Sequence, residues 1–282
     1  MPRNIIIIGQ GRLDLNFGQD GQPSGATPGG VLLQSALKLA GKGHPVYFVS
    51  EAGRDAVGDS IVNALTEAGV NTVSIDRYTE GSTATAMTFA DGREVWYGTY
   101  PSGNMSVAWP RIERGDIVIF GDAYTLEPRV HQPTMDLLRY ARDMKSLVIY
   151  APLYPSRLSH HVTHAMPDIL DSFEMASMSI IDTETIKTLY RTDDIADAYR
   201  THLSYYDTPT VYAGNGLISM YMPTLTECTD CSRDTTMPDL IAAAADSAVS
   251  LDVSDGEIRE LQSTRMAEIL KSISDNIEQL QK

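Results

Sequence analysis

Cysteine is nearly absent from this sequence: 282 residues hold only Cys228 and Cys231. A zinc site built from paired thiols needs a second C-x-x-C, and none exists. The "CTDC" pair reads as two thiols in a polar loop, with a redox-sensitive loop as the alternative. Basic charge is also in deficit, because 22 Lys and Arg face 37 Asp and Glu, a formal net charge of −15. Nucleic acids and anionic membrane surfaces call for clustered Lys and Arg, so neither is expected as a partner. A phosphate ligand stays open, because backbone N–H groups act at close range whatever the global charge. No apolar run approaches the length that crosses a bilayer. The start, "MPRNIIIIGQG", reads as a buried strand and turn rather than a secretory core, and a cytoplasmic location is expected.

What is present is a core. Hydrophobic residues make up 43% and charged residues 21%, a balance that supplies a sizeable core and does not favour disorder. Short apolar runs alternate with amphipathic stretches: "NIIIIG", "VLLQSALKLAGKG", "PVYFVSEAG", "DSIVNALTEAGV" and "NTVSIDRY". The rhythm returns in "DIVIFGDA", "VHQPTMDLLRYARDM", "SLVIYAPL" and "MASMSIID", then helices at "TETIKTLY" and "DDIADAYRTHL". The strand–turn–strand "TPTVYAGNGLISMYM", an alanine-rich helix and one long polar amphipathic helix from Gly256 onward complete it. Such alternation predicts a mostly parallel sheet with helices on both faces. "TATAMTFADGREVWYGTY" breaks the rhythm with alternation around Asp91-Gly92, a hairpin turn whose residues tolerate positive φ.

Three Gly-rich stretches follow strands, where open parallel sheets gather ligands. They are Gly29-Gly30, Gly53-Arg54-Asp55-Ala56-Val57-Gly58, and "AGNG" with Gly214 and Gly216. Each alone is an ordinary βα or hairpin turn. In order, with Gly69-Val70 closing a helix and a "DGRE" hairpin ending at Gly103-Asn104, they resemble the ribokinase (PfkB) family of carbohydrate kinases. The resemblance implies a single ribokinase-like domain over residues 1–282. It would be a three-layer α/β/α fold with a mostly parallel central sheet and a small β lid from about 10–28 and 81–104.

It also implies a reaction: transfer of the γ-phosphoryl group of ATP, with Mg²⁺, to a hydroxyl of a sugar, sugar phosphate or nucleoside. Asp14 matches the acid that binds substrate hydroxyls, and Gly29 and Gly30 the segment that lets substrate approach the backbone. Gln34 and Asn104 fall at further substrate positions, and Gly214, Gly216 and Thr236 at nucleotide positions. The family's D-T-T-G-A-G-D signature appears as "DTTMPD", with Asp239 in the place of the general base.

The departures cluster on phosphoryl transfer. The Gly-Ala-Gly that aims backbone N–H groups at the moving phosphoryl is reduced to Met237-Pro238, and proline has no N–H. Gln34 stands for an Asn, Ala151-Pro152-Leu153 for an acidic and amide run, and "YAGNG" lacks the nucleotide turn's Thr and one residue. In the N-x-x-E motif that organises Mg²⁺, Glu184 keeps the Glu while Ile181 takes the Asn place, which Asp182 fills by a one-residue shift. Two functions follow: a kinase of unusual detail, or a sugar- or nucleoside-binding protein that no longer transfers phosphate. Lid residues Met87, Phe89, Trp96 and Tyr97 suit shielding of substrate or a homodimer face. A third reading takes His160, His161 and His164, with Asp168 and Asp171, as a metal site.

Overall fold

A computed structural model describes residues 3–281. The chain opens with β1 (Ile5–Ile8), β2 (Arg12–Phe17), β3 (Pro23–Gly29), α1 (Val31–Gly41), β4 (Val46–Gly53), α2 (Ala56–Glu67) and β5 (Ile75–Tyr78). It continues with β6 (Ser82–Thr88), β7 (Glu94–Thr99), β8 (Ile117–Gly121), α3 (Pro128–Asp143), β9 (Leu147–Ala151), α4 (Val162–Met175), β10 (Met178–Ile181) and α5 (Thr183–Tyr190). Last come α6 (Ile195–Ala198), β11 (Thr210–Gly214), β12 (Leu217–Met222), β13 (Leu225–Asp230), α7 (Met237–Ser250), α8 (Asp255–Ile258) and α9 (Ser263–Leu280).

Nine strands form the main sheet in the order β13-β12-β11-β10-β9-β8-β1-β4-β5. All neighbouring pairs are parallel except β11–β12 and β12–β13. The apolar runs serve both faces at once, because successive side chains point to opposite sides. Ile5 and Ile7 of β1, with Ile117 and Ile119 of β8, pack toward α1, α7 and α9. Ile6 and Ile8, with Val118 and Phe120, pack toward α3, α4 and α5. A strand buried on both faces has no room for alternation, so "IIII" reads as a continuous run.

A second sheet of four strands, β3-β2-β6-β7, stands over the carboxyl ends of the first. Its attachment explains the Gly53–Gly58 motif. Asp55 caps α2 by accepting from Gly58 N at 2.8 Å, and also accepts from Thr83 N and Thr83 Oγ1, both at 2.8 Å. Burial opposes ionisation of Asp55, but these hydrogen bonds outweigh it and hold the carboxyl below its usual range. A Cβ on Gly58 would sit 2.2 Å from the Gly53 carbonyl oxygen, so glycine is required where helix and strand meet.

Three expectations are corrected. "CTDC" is not wholly a loop, since Cys228 lies on edge strand β13 opposite Ser219 and only Cys231 follows it. The long C-terminal helix is two, because Ser254 caps the short α8 and a second start at Gln262 opens α9. The helix beginning at Ile195 passes into a π turn over Tyr199–Leu203.

Candidate active site

Between the two sheets lies a cleft of about 680 Å³. Gln10 and Asp122 line it at the ends of β1 and β8, Trp96 and Glu94 belong to β7, and Tyr154 to Arg157 form one wall beside Asp182 and Glu184. This is where ligands gather on an open parallel sheet.

Asp122 is the unusual residue here. Its φ of 67° and ψ of 164° belong to a region otherwise reserved for glycine. The preceding Gly121, at φ 145°, approaches the Ala151 carbonyl so closely that a Cβ would lie 1.8 Å from its oxygen. The Asp122 carboxylate accepts from Gln10 N at 2.9 Å, Tyr124 N at 3.1 Å and Thr125 N at 3.2 Å. Burial nonetheless pushes its carboxyl up to about 7, against those N–H groups and the Arg12 guanidinium. No motif in the sequence marks Asp122. The signal was "IVIFGD", an acid straight after a fully apolar strand and a glycine.

Two guanidinium groups share one ring above it. Arg12 lies 4.7 Å and Arg157 3.9 Å from the Trp96 ring centroid. Burial, and then the like charge of Arg12, hold Arg157 below its usual pKa. Two cations brought together over an aromatic ring favour an anionic ligand.

On the opposite wall, Asp182 caps α5 by accepting from Thr185 N at 2.7 Å, and Glu184 accepts from Ser156 N at 2.8 Å through Oε1. Burial and the neighbouring Glu184 charge raise the Asp182 pKa against the Thr185 hydrogen bonds. Each carboxylate thus commits an oxygen to one N–H, and the pair repels. Hard oxygen donors in that relation fit Mg²⁺, which binds through one or two carboxylates together with phosphate oxygens. Ile181 is fully buried in β10 and takes no part.

Beneath the cleft, Glu51 is 2% exposed and takes a two-pronged bond from Arg129, 2.9 Å to Oε1 and 2.5 Å to Oε2. Tyr124 Oη donates to Oε2 at 2.7 Å. Arg129 lies 4.6 Å from the Tyr100 ring centroid, and Gln10 Nε2 donates to Tyr100 Oη at 2.9 Å. These contacts tie β4, α3 and the turn after β8 to the segment following β1.

The residues expected at the substrate end divide. Asp14 shares a face of β2 with Arg12 and pairs with it at 2.6 Å. A Cβ on Gly29 would meet Asp14 Oδ2 at 2.0 Å, so glycine there admits the carboxylate. Gly30, at φ 106°, would bring a Cβ within 2.4 Å of the Gln10 carbonyl oxygen. Gln34 Nε2 donates to the Pro28 carbonyl and so secures the turn. Asn104 is exposed in the loop after β7. None of these five is among the residues lining the cleft.

Asp239 lies outside that lining as well. It is 4% exposed at the third position of α7 and closes a capping box with Thr236. Thr236 Oγ1 donates to its Oδ2 at 2.6 Å, and Lys38 Nζ stands 2.9 Å from Oδ1. Burial disfavours its charge, yet Thr236 and Lys38 prevail and hold the carboxyl below its usual value. Met237 N–H is the one first-turn donor left without a partner among the described residues: Pro238 has none, and Asp239 N bonds Thr236 Oγ1 at 3.4 Å. Gly214 ends β11 and Gly216 is the second residue of the two-residue hairpin turn to β12, in which Asn215 and Gly216 both take positive φ.

The histidine expectation is corrected. His160 and His161 precede α4 in a 3₁₀ turn, and only His164 is on the helix. The histidine that meets Asp168 and Asp171 is His131 of α3.

The family model described as pfkB family carbohydrate kinase matches residues 19–198. No curated protein matches the chain. Fructokinase from Vibrio cholerae, solved with fructose, ADP and calcium ion, superposes with a TM-score of 0.82 at 11% identity, covering 96% of this chain and 90% of that one. Aminoimidazole riboside kinase from Salmonella enterica, complexed with aminoimidazole riboside and an ATP analog, gives 0.80 at 13%, covering 98% and 92%. Fructokinase from Xylella fastidiosa with bound ATP gives 0.77 at 15%, covering 99% and 93%. At such identities the structures establish the fold, a ribokinase-like α/β architecture with a second small sheet.

Proposed function

Because the chain belongs to the pfkB family of carbohydrate kinases, we propose that it transfers the γ-phosphoryl group of ATP to a hydroxyl of a sugar or nucleoside, within the cleft between its two sheets. The observation that carries this reading is the place of Asp122, an acid in a strained backbone conformation that lines the cleft at the end of β8, and burial raises its pKa to about 7. A general base works best when its pKa lies near the working pH. Asp122 takes the proton from the acceptor hydroxyl as that oxygen bonds to the γ-phosphorus and the bond to ADP breaks. Asp239 is not among the residues lining the cleft, and its bonds to Lys38 and Thr236 assign it to holding the start of α7 instead.

Met237-Pro238 strips donors from the helix start, and the arginine pair is the replacement. Arg12 and Arg157 bring guanidinium groups to the same ring at the cleft, where charge growing on the phosphoryl oxygens needs donors fixed in advance. Asp182 and Glu184 are the residues to hold Mg²⁺. When bound, the ion neutralises charge on the triphosphate. Self-association through the small sheet belongs to the same proposal, since Tyr97 of β7 is 59% exposed.

Thermal melting separates this reading from a non-transferring binding protein. At about a hundredfold excess over its Kd, Mg-ATP is expected to raise the unfolding midpoint by roughly 5–10 °C. Asp182→Asn with Glu184→Gln should remove the Mg²⁺-dependent part of that rise. Stabilisation by a sugar or nucleoside but never by Mg-ATP would favour the binding protein and sink the kinase.

A further inference from the structure

The His131, Asp168 and Asp171 group takes no part in the cleft chemistry, and it carries an unanswered polar atom. His131 is 4% exposed, and its Nε2 has no hydrogen-bond partner among the described residues. Its Nδ1 lies 3.2 Å from the Thr125 carbonyl oxygen. A carbonyl only accepts, so Nδ1 carries a proton, and in the neutral form of the ring the Nε2 lone pair is turned away from that bond. That lone pair faces Asp168 Oδ1 at 3.5 Å. Lone pair against carboxylate is repulsive, and 3.5 Å exceeds a good hydrogen bond. It does match the edge of a tetrahedron with metal–ligand bonds of the usual length, about 3.4 Å.

Asp171 completes the group one helical turn along α4, with the three ligand atoms within 4.8 Å of one another. Asp171 is exposed, so its side chain is free to take up the remaining distance by a change of rotamer when an ion binds. We propose that His131, Asp168 and Asp171 bind one divalent transition-metal ion, with water in the open position. One imidazole nitrogen and two carboxylate oxygens suit Zn²⁺, Co²⁺ or Mn²⁺ better than Mg²⁺, which prefers all-oxygen surroundings.

The ion would join α3 to α4. It would also act at a distance on the cleft, because metal-bound histidines are oriented by the partner of their other nitrogen. Here that partner is the Thr125 carbonyl, and Thr125 N donates to Asp122 at 3.2 Å. The site therefore braces the turn that holds Asp122 in its strained conformation.

The test uses the full chain, stripped by chelator and titrated with Zn²⁺ alone, then with Co²⁺. One Zn²⁺ per chain at micromolar Kd is expected, with the melting midpoint raised by about 5 °C at a hundredfold excess. Co²⁺ should show the visible absorption of a low-coordinate site. His131→Gln removes a buried residue and is open to misfolding, so the solvent-facing Asp168→Asn and Asp171→Asn variants carry the test. Each should weaken Zn²⁺ binding at least tenfold and abolish the shift. Three results would overturn the site: no stoichiometric binding, binding unchanged in both aspartate variants, or binding lost only when His160, His161 and His164 are replaced together. The last would assign the metal to the exposed histidines.

Discussion

Asp122→Asn is expected to lower kcat by about 10²–10⁴, the usual worth of a positioned general base. KM should move far less, because Asn keeps the shape of the side chain. Wild-type kcat should rise with pH through about 7, as the carboxyl ionises, and that limb should vanish in the variant. Asp239→Asn is the contrasting case. It should leave kcat within a few-fold and cost about 1–2 kcal/mol of stability, the value of a helix cap. If Asp239→Asn abolished turnover and Asp122→Asn did not, the assignment of the base would be reversed.

The same two acids have opposite effects on stability. Folding raises the Asp122 pKa from about 4 to about 7, so the native state binds the extra proton. Its stabilising contribution is full below about pH 4 and is lost as pH climbs through about 7. Folding lowers the Asp239 pKa, so its contribution is present above the unfolded value and disappears as pH falls. Denaturant midpoints measured between pH 4 and 8 should therefore slope less steeply downward in Asp122→Asn than in wild type.

The second large effect is on the fold beneath the cleft. Glu51→Ala strands the Arg129 guanidinium and the Tyr124 hydroxyl in a site where Glu51 is 2% exposed. Removing one partner of a buried pair costs about 3–5 kcal/mol. At about 2–4 °C per kcal/mol, the melting midpoint should fall by roughly 10 °C. Glu51→Gln should fall less, since it keeps one acceptor oxygen and the side-chain volume, although its amide nitrogen donates where a carboxylate oxygen accepted. Equal melting of Glu51→Ala and wild type would show that this network does not support the cleft.

The parallel sheet was legible because its strands carry their burial in the sequence. "IIII", "IVIF" and "LVIYA" need no partner to be read as strands buried on both faces. The small sheet was legible through Asp91-Gly92 and the alternation around it. The glycine motifs gave the order of parts, and the structure gives Gly29 and Gly58 their reasons: an approaching carboxylate and an approaching carbonyl. The acid–base assignment proposed here, which differs from the one the motif implies, was not legible, because each acid is tuned from far along the chain. Asp122 is held by Gln10, 112 residues earlier. Asp239 is held by Lys38 on another helix, a contact no motif announces. Asp168 and Asp171 were read beside the histidines nearest in sequence, whereas packing of α3 on α4 delivers His131.

The central claim is that this cleft still transfers phosphate without the glycine donors at the start of α7. ADP release, followed for the purified chain with Mg-ATP across a panel of sugars, sugar phosphates and nucleosides, tests it most directly. The account predicts acceptor-dependent ADP release with at least one compound, lost in Asp122→Asn and strongly reduced in Arg12→Ala and Arg157→Ala. No acceptor-dependent release from a chain that binds one of these compounds would contradict it and leave a binding protein on a kinase fold.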